Sequence, residues 1–172
     1  MKSSISYINN QTTPLLLHPS AEPAAIAWEK LDRHWKSSEF TKADISAILE
    51  NTTISVVKKD KAYLFFSNFE AVRLIKHHHI KKVTVRLYEK IPEHDIRRIS
   101  VNYLGFIKLY SLKPKTGLAS LQRAASSYLA KEFTIDHFDT SLQQVKNAAP
   151  ALGVTHKQLR TQIQNLKGKI HD

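Results

Sequence analysis

The chain has no cysteine among its 172 residues, which excludes disulfides, thiolate zinc sites and thiol nucleophiles together, and which is compatible with a reducing cytoplasm. Glycine is scarce: the four present stand in none of the spacings that a phosphate-binding P-loop or a dinucleotide fingerprint needs. Long apolar runs are missing too. The longest early one, residues 15–17, is far short of a signal-peptide core or a membrane span, so a soluble protein of the cytoplasm without membrane contact is expected. Acidic residues are few and unevenly placed, with none at 101–131 and none at 140–171.

Against these absences stand 42% hydrophobic residues, enough for one real core and a small second unit, and a net charge of +11 with 26 Lys and Arg. A surplus of that size points to a polyanionic partner, with nucleic acid foremost.

Residues 1–20, rich in Ser, Asn, Gln and Thr with Pro14 and Pro19, read as a loose arm. A helix is expected over 20–36, and Thr41 with Asp44 forms a capping arrangement that opens a short helix ending near Asn51. Residues 54–57 and 63–66 read as strands of a hairpin turning at Asp60. The stretch 62–89 organises the rest: a strand, a turn at Ser67 and Asn68, a helix from Phe69 to about His79, and a strand alternating through Val83, Val85 and Leu87. A further helix begins at Pro92 and presents Ile96, Ile99, Tyr103 and Phe106 as its buried face. The Pro- and Gly-containing segment 113–117 marks a boundary, after which helices are expected over 118–131, 135–149 and 155–167. The resulting division is an arm (1–20), an αβ domain (21–112) and a basic helical domain (113–172).

Residues 54–104 resemble the N-terminal domain of ParB-type partition proteins and the wider ParB/sulfiredoxin-like superfamily. There a strand leads into a Gly-Glu-Arg-Arg turn, an Arg- and Ala-rich helix, a Gly-Leu-Lys turn and a Val-rich strand. Asn68 stands at the glycine, Arg73 at the last arginine of the helix and Lys76 at a lysine, and Ile80-Lys81-Lys82-Val83 mirrors the second turn. Val101-Asn102-Tyr103-Leu104 resembles the end of the next family helix. The resemblance implies an α+β fold, a small mixed sheet with a crossover helix followed by a helical C-terminal domain. It also implies a phosphate site at Ser67, Asn68, Arg73 and Lys76 for a nucleotide such as CTP or ATP, and an alternative activity as nuclease or nucleotide hydrolase. Phe69, Glu70 and Ala71 depart from the family pattern at Glu, Arg and Arg. Two arginines at a helix N-terminus grip phosphates through forked, charge-assisted hydrogen bonds, whereas a glutamate there repels them. A non-catalytic reading without bound nucleotide follows. Asparagine tolerates a positive φ, so Asn68 can keep the shape of the turn. Arg73 has an alternative use in a salt bridge with Glu70.

The run His77-His78-His79 is no metal site, because successive helical positions are about 100° apart and adjacent imidazoles do not converge on one ion. Residues 143–169 resemble a bacterial helix-turn-helix, with Ala148-Ala149, the Leu152-Gly153-Val154 turn, Thr155 as cap and Leu159, Ile163 and Leu166 on one apolar face. Pro150 departs from that pattern and is expected to end the first helix early. Lys146, Lys157, Gln158, Arg160, Thr161, Gln164 and Lys167 are the candidate nucleic-acid contacts, with double-stranded DNA as the expected partner. An ordinary helical hairpin, or a protein interaction module in which the αβ domain forms a homodimer, are the other readings.

Overall fold

In the computed structural model, residues 2–33, 41–110, 112–132, 134 and 142–168 are described. Trp35, Ile135 and Lys169 lie outside that set, and so does the side chain of Phe106. The chain forms two compact units, one of Met1–Glu22 with Trp35–Ser100 and the other of Pro23–His34 with Val101–Asp172.

The first unit is built on a five-stranded mixed sheet of order β1-β5-β3-β4-β2, with β1 at Ser3–Asn9, β2 at Leu15–Leu17, β3 at Ile54–Lys59, β4 at Ala62–Phe65 and β5 at Lys82–Tyr88. Strands β1 and β5 pair antiparallel, as do β3 and β4, while β2 with β4 and β3 with β5 pair parallel. Helices α2 (Lys42–Glu50) and α3 (Phe69–His77) pack against each other, and α2 also meets β5.

The expected loose arm is corrected here. Seven residues of it pair with β5 and three with β4. Local polarity suggested too little burial to offset the ordering entropy, but the ladder satisfies the backbone and buries Ile8 and Leu15. The parallel partner of β5 is β3, not β4, so the crossover runs from β3 through β4 and α3 into β5.

Local signals worked where the partners are close in sequence. Thr41 N–H donates to Asp44 Oδ2 (2.9 Å) and Asp44 N–H donates to Thr41 Oγ1 (3.2 Å), a reciprocal capping box. The Thr41 hydroxyl also donates to that carboxylate, and these bonds hold the Asp44 pKa below its usual value. The hairpin turns at Asp60, whose φ is 53°.

After β5, α4 (Glu93–Tyr110) belongs to the first unit through Ser100 and to the second from Val101. Among its described side chains Ile96, Ser100, Val101 and Leu104 are buried, with Ile99 and Tyr103 only half-buried, so over that part the face is rotated from the expected one. Part of the reason is polar: Ser100 Oγ donates to the Phe66 carbonyl (2.7 Å), a group just past the end of β4 that has to be satisfied in the core.

His18 joins β2 to the turn Pro19–Ala21. Its N–H donates to the Phe65 carbonyl (2.9 Å), and its Nδ1 accepts the Ser20 N–H (3.1 Å). Burial lowers the imidazole pKa; Glu93 opposes this and Lys59 reinforces it. Since the folded-state pKa is depressed, the unfolded chain takes up this proton first as pH falls. The contribution is complete above about 6.5, the unfolded value, and is lost as pH falls from there through the folded-state pKa. Thermal melts of the protein between neutral and mildly acidic pH are expected to show a fall in stability that His18→Asn reduces, since asparagine keeps an acceptor for Ser20 but does not titrate. Identical pH slopes for the two proteins contradict this.

In the second unit α1 (Glu22–Glu29) precedes Asp32, and α5 (Gly117–Tyr128), α6 (Val145–Ala151) and α7 (His156–Gly168) form a helical cluster in which α7 packs against both α5 and α6. Asp32 ties the 113–117 turn down, pairing with Lys113 Nζ (3.3 Å) and accepting from the Thr116 hydroxyl. Its own N–H donates to Ser120 Oγ (2.8 Å), and its carbonyl accepts the Lys113 N–H (3.0 Å). The boundary segment 113–117 is therefore held by Asp32, just past α1, and residues 23–34 group with the helical part and not with the αβ unit.

Candidate nucleic-acid interface

The C-terminal helix pair is closed by two local devices. Helix α6 ends in a Schellman motif: Gly153 N–H donates to the Pro150 carbonyl (2.9 Å) and Val154 N–H to the Ala149 carbonyl (3.0 Å), with Gly153 at φ 72°. Pro150 does not end α6 early. The helix continues to Ala151, with the proline ring exposed and only the donor that would meet the Lys146 carbonyl forfeited. Of the helix expected over 135–149, residues 135–141 lie outside the described set and 142–144 are not helical, Gln144 being extended (φ −102°, ψ 127°), so α6 begins at Val145.

Helix α7 opens with a second capping box, in which Gln158 N–H donates to Thr155 Oγ1 (3.2 Å) and Thr155 N–H donates to Gln158 Oε1 (2.7 Å). The carboxamide oxygen of Gln158 is thereby committed to the cap. Leu159 is fully buried, and Ile163 and Leu166 are half-buried on the same side. Gln162 Oε1 accepts the N–H groups of Leu118 (3.0 Å) and Ala119 (3.3 Å), and its amide donates to the Pro114 carbonyl (2.9 Å). Asn165 Nδ2 donates to the Lys115 carbonyl (3.2 Å). These two amides fix the azimuth of α7 on the start of α5. Sequence reasoning missed them, because their partners lie 43 to 50 residues away.

With Leu159, Gln162 and Leu166 turned inward, the outward side is determined by helical geometry. Lys157, Arg160, Thr161, Gln164 and Lys167 are all exposed. At about 100° per residue they fall within roughly a third of the helix circumference, opposite Leu159. Thr161 Oγ1 donates to the Lys157 carbonyl (3.0 Å) and keeps lone pairs for an outside donor. Lys146 is exposed on the neighbouring helix α6. In sequence no acidic residue occurs from Thr140 to His171, and Lys113 is paired with Asp32.

The candidate phosphate residues at α3 are not drawn together. Ser67 is buried with its Oγ accepting the Ser55 N–H (3.0 Å), and Asn68 Nδ2 donates to the Thr53 carbonyl (2.6 Å). Lys76 Nζ lies 5.7 Å from the Phe65 ring centroid, about 12 Å along the helix from Asn68, and Arg73 is exposed between them. Glu70 occupies the first turn. The turn itself has the expected geometry, with Asn68 left-handed at φ 54° and ψ 48°. Asn68→Ala is therefore expected to cost about 2 kcal/mol, the left-handed penalty plus the lost bond to Thr53, and Asn68→Gly about 1 kcal/mol, the bond alone. Urea titrations measure both, and equal losses would contradict the conformational part. His77 is the last residue of α3 and His78 its cap, with their rings edge to face and centroids 4.6 Å apart, while His79 takes a left-handed φ of 52°.

No described helix is long and apolar enough to cross a membrane. No protein-family model and no curated protein matches the chain. Among solved structures it is similar to the C-terminally truncated chromosome-partitioning protein ParB of Caulobacter crescentus complexed to the centromeric parS site, at 12% identity and TM-score 0.42, covering 94% of this chain and 71% of that one. It is also similar to the truncated protein complexed with CTP-gamma-S, at 9% identity and TM-score 0.35, covering 95% of this chain and 79% of that one. The fold is of the α+β class, a five-stranded mixed sheet with its crossover helix followed by a helical C-terminal part.

Proposed function

We propose that the chain binds double-stranded DNA through the exposed side of α7, with Lys157, Arg160 and Lys167 on phosphates and Thr161 and Gln164 at base edges. The observation that carries this reading is the stripe itself: cations and hydrogen-bonding side chains on one face, no acid nearby in sequence, and the opposite face anchored by Leu159, Gln162 and Asn165. A solvated helix face ordinarily mixes charge signs. Lys146 on α6 extends the basic set, and Gln158 contributes by fixing the start of the helix. The αβ unit acts as a non-catalytic scaffold, and by its resemblance to ParB-type domains the setting is partition or regulation, of a plasmid or another mobile element.

The test is duplex binding by the full chain, without nucleotide, across a salt series. With about four phosphates neutralised by these cations, log affinity falls against log salt with a slope of roughly −3 to −4. A flat response rejects the model.

A further inference from the structure

The ladder register sorts the side chains of the sheet onto two faces. Ile8 with Val83, Ile54 with Val85 and Val56 with Phe65 are buried on one of them. Alternate residues point the other way, so on the second face Ile5 stands opposite Arg86, Tyr7 opposite Thr84 and Asn9 opposite Lys82. Ile5, Tyr7, Asn9, Lys82 and Arg86 are exposed there. Ile5 and Tyr7 are the most exposed large apolar side chains of the described set, at 57% and 65%. Strands β1, β3 and β5 contain no Asp or Glu, and Glu89, just past β5, is paired with Lys2 (3.6 Å).

Two features set this face apart from an ordinary solvated one. Lys82 Nζ stands over the Tyr7 ring, 4.4 Å from its centroid, which steadies the ring from one side and leaves the other open. Beside the ring lies an open depression of about 350 Å³ lined by Tyr7, Ile8, Asn9, Lys81 and Lys82. Asn9 Oδ1 accepts the Gln11 N–H (3.0 Å), while its Nδ2 donates to no group among the described residues. Lys81, Lys82 and Arg86 form no ion pair among the described residues.

Aromatic rings on which bases stack, set in a positive surface that follows the backbone, are how proteins hold single-stranded nucleic acid. A duplex keeps its bases stacked within the helix and offers Tyr7 nothing to pack on. An acidic peptide would use the cations and leave the ring idle. A lone nucleotide would need the depression only, whereas Arg86 stands four residues along β5 from Lys82, about 13 Å away on the same face. We infer that this face of β1 and β5 binds a single-stranded stretch of nucleic acid. One base stacks on the open side of Tyr7 at the depression, its neighbour packs on Ile5, and phosphates meet Lys81, Lys82 and Arg86. Asn9 Nδ2 is the donor available to the edge of the stacked base. The site is separate from α7 and does not rest on the duplex reading.

The test uses the full chain carrying Lys157→Ala and Arg160→Ala, so that the duplex reading can fail or hold without deciding this one. Fluorescence anisotropy with a labelled oligothymidylate is expected to show binding that weakens as salt rises. In that background Tyr7→Ala, at an exposed position, is expected to raise the dissociation constant about five- to 150-fold, the loss of one stacked base, with an unchanged circular dichroism spectrum. Tyr7→Phe keeps the ring and is expected to stay within about twofold of the parent. Arg86→Ala is expected to weaken binding and to flatten the salt slope by about 0.7, the share of one phosphate on a single strand. Thymidine monophosphate and polyglutamate are expected to displace the oligonucleotide only at far higher concentration than unlabelled oligothymidylate does. Absence of oligonucleotide binding, a Tyr7→Ala protein of undiminished affinity, a Tyr7→Phe protein as weak as Tyr7→Ala, an Arg86→Ala protein with unchanged salt slope, or equally effective displacement by the monophosphate or by polyglutamate overturns the inference.

Discussion

Replacing Lys157 and Arg160 together by alanine is expected to weaken duplex binding by about 2 to 4 kcal/mol, roughly 30-fold to several hundred-fold, while the protein stays folded. Both side chains are exposed on α7 and neither is among the buried residues, so their truncation leaves the packed side of the helix intact. If each engages one phosphate, the salt slope should also flatten by about two. Fluorescence anisotropy with a labelled duplex at several salt concentrations reads both effects. An unchanged affinity would remove α7 as the recognition element, whatever the net charge of the chain.

Leu159→Ala is expected to act by a different route. Leu159 is fully buried at the centre of the face by which α7 packs, and truncating such a leucine costs about 2 to 5 kcal/mol through lost transfer energy and the cavity left behind. Duplex binding then falls because the helix is less often in place, with the cations themselves untouched. Cooling the variant well below its lowered melting temperature should restore most of the affinity, while the Lys157, Arg160 variant stays weak at any temperature. Leu159→Met, close to volume-conserving, should cost less than about 1.5 kcal/mol. Thermal melts paired with binding at two temperatures separate the cases, and a Leu159→Ala protein of full stability would show that the apolar face of α7 is not what holds it.

Both expectations depend on α7 being oriented by contacts on one side only. The buried leucine sets which face is inward, and Gln162 and Asn165 set the rotation through carbonyl and N–H groups of residues 114–119. The composition of the face left over, two lysines, an arginine, a threonine and a glutamine, then acquires a chemical meaning that the net charge alone lacks.

What the sequence by itself determined is whatever depends on neighbours within a few residues. The Thr41 and Asp44 capping box, the hairpin at Asp60, the left-handed turn at Asn68 and the glycine-closed end of α6 all join groups no more than five residues apart, or are dihedral preferences of one residue. The apolar side of α7 followed from its spacing in the same way. The edge strands could not be read like that, since β1 is held by β5 nearly 80 residues later and nothing in Ser3–Asn9 records that partner. The rotated face of α4 waited on the Phe66 carbonyl, and the grouping of residues 23–34 with the helical unit waited on Asp32 meeting Lys113 and Thr116. Only the tertiary structure decided these points. Ladder bonds, buried carbonyls and ion pairs between distant segments are satisfied by position in space, which local patterning does not encode.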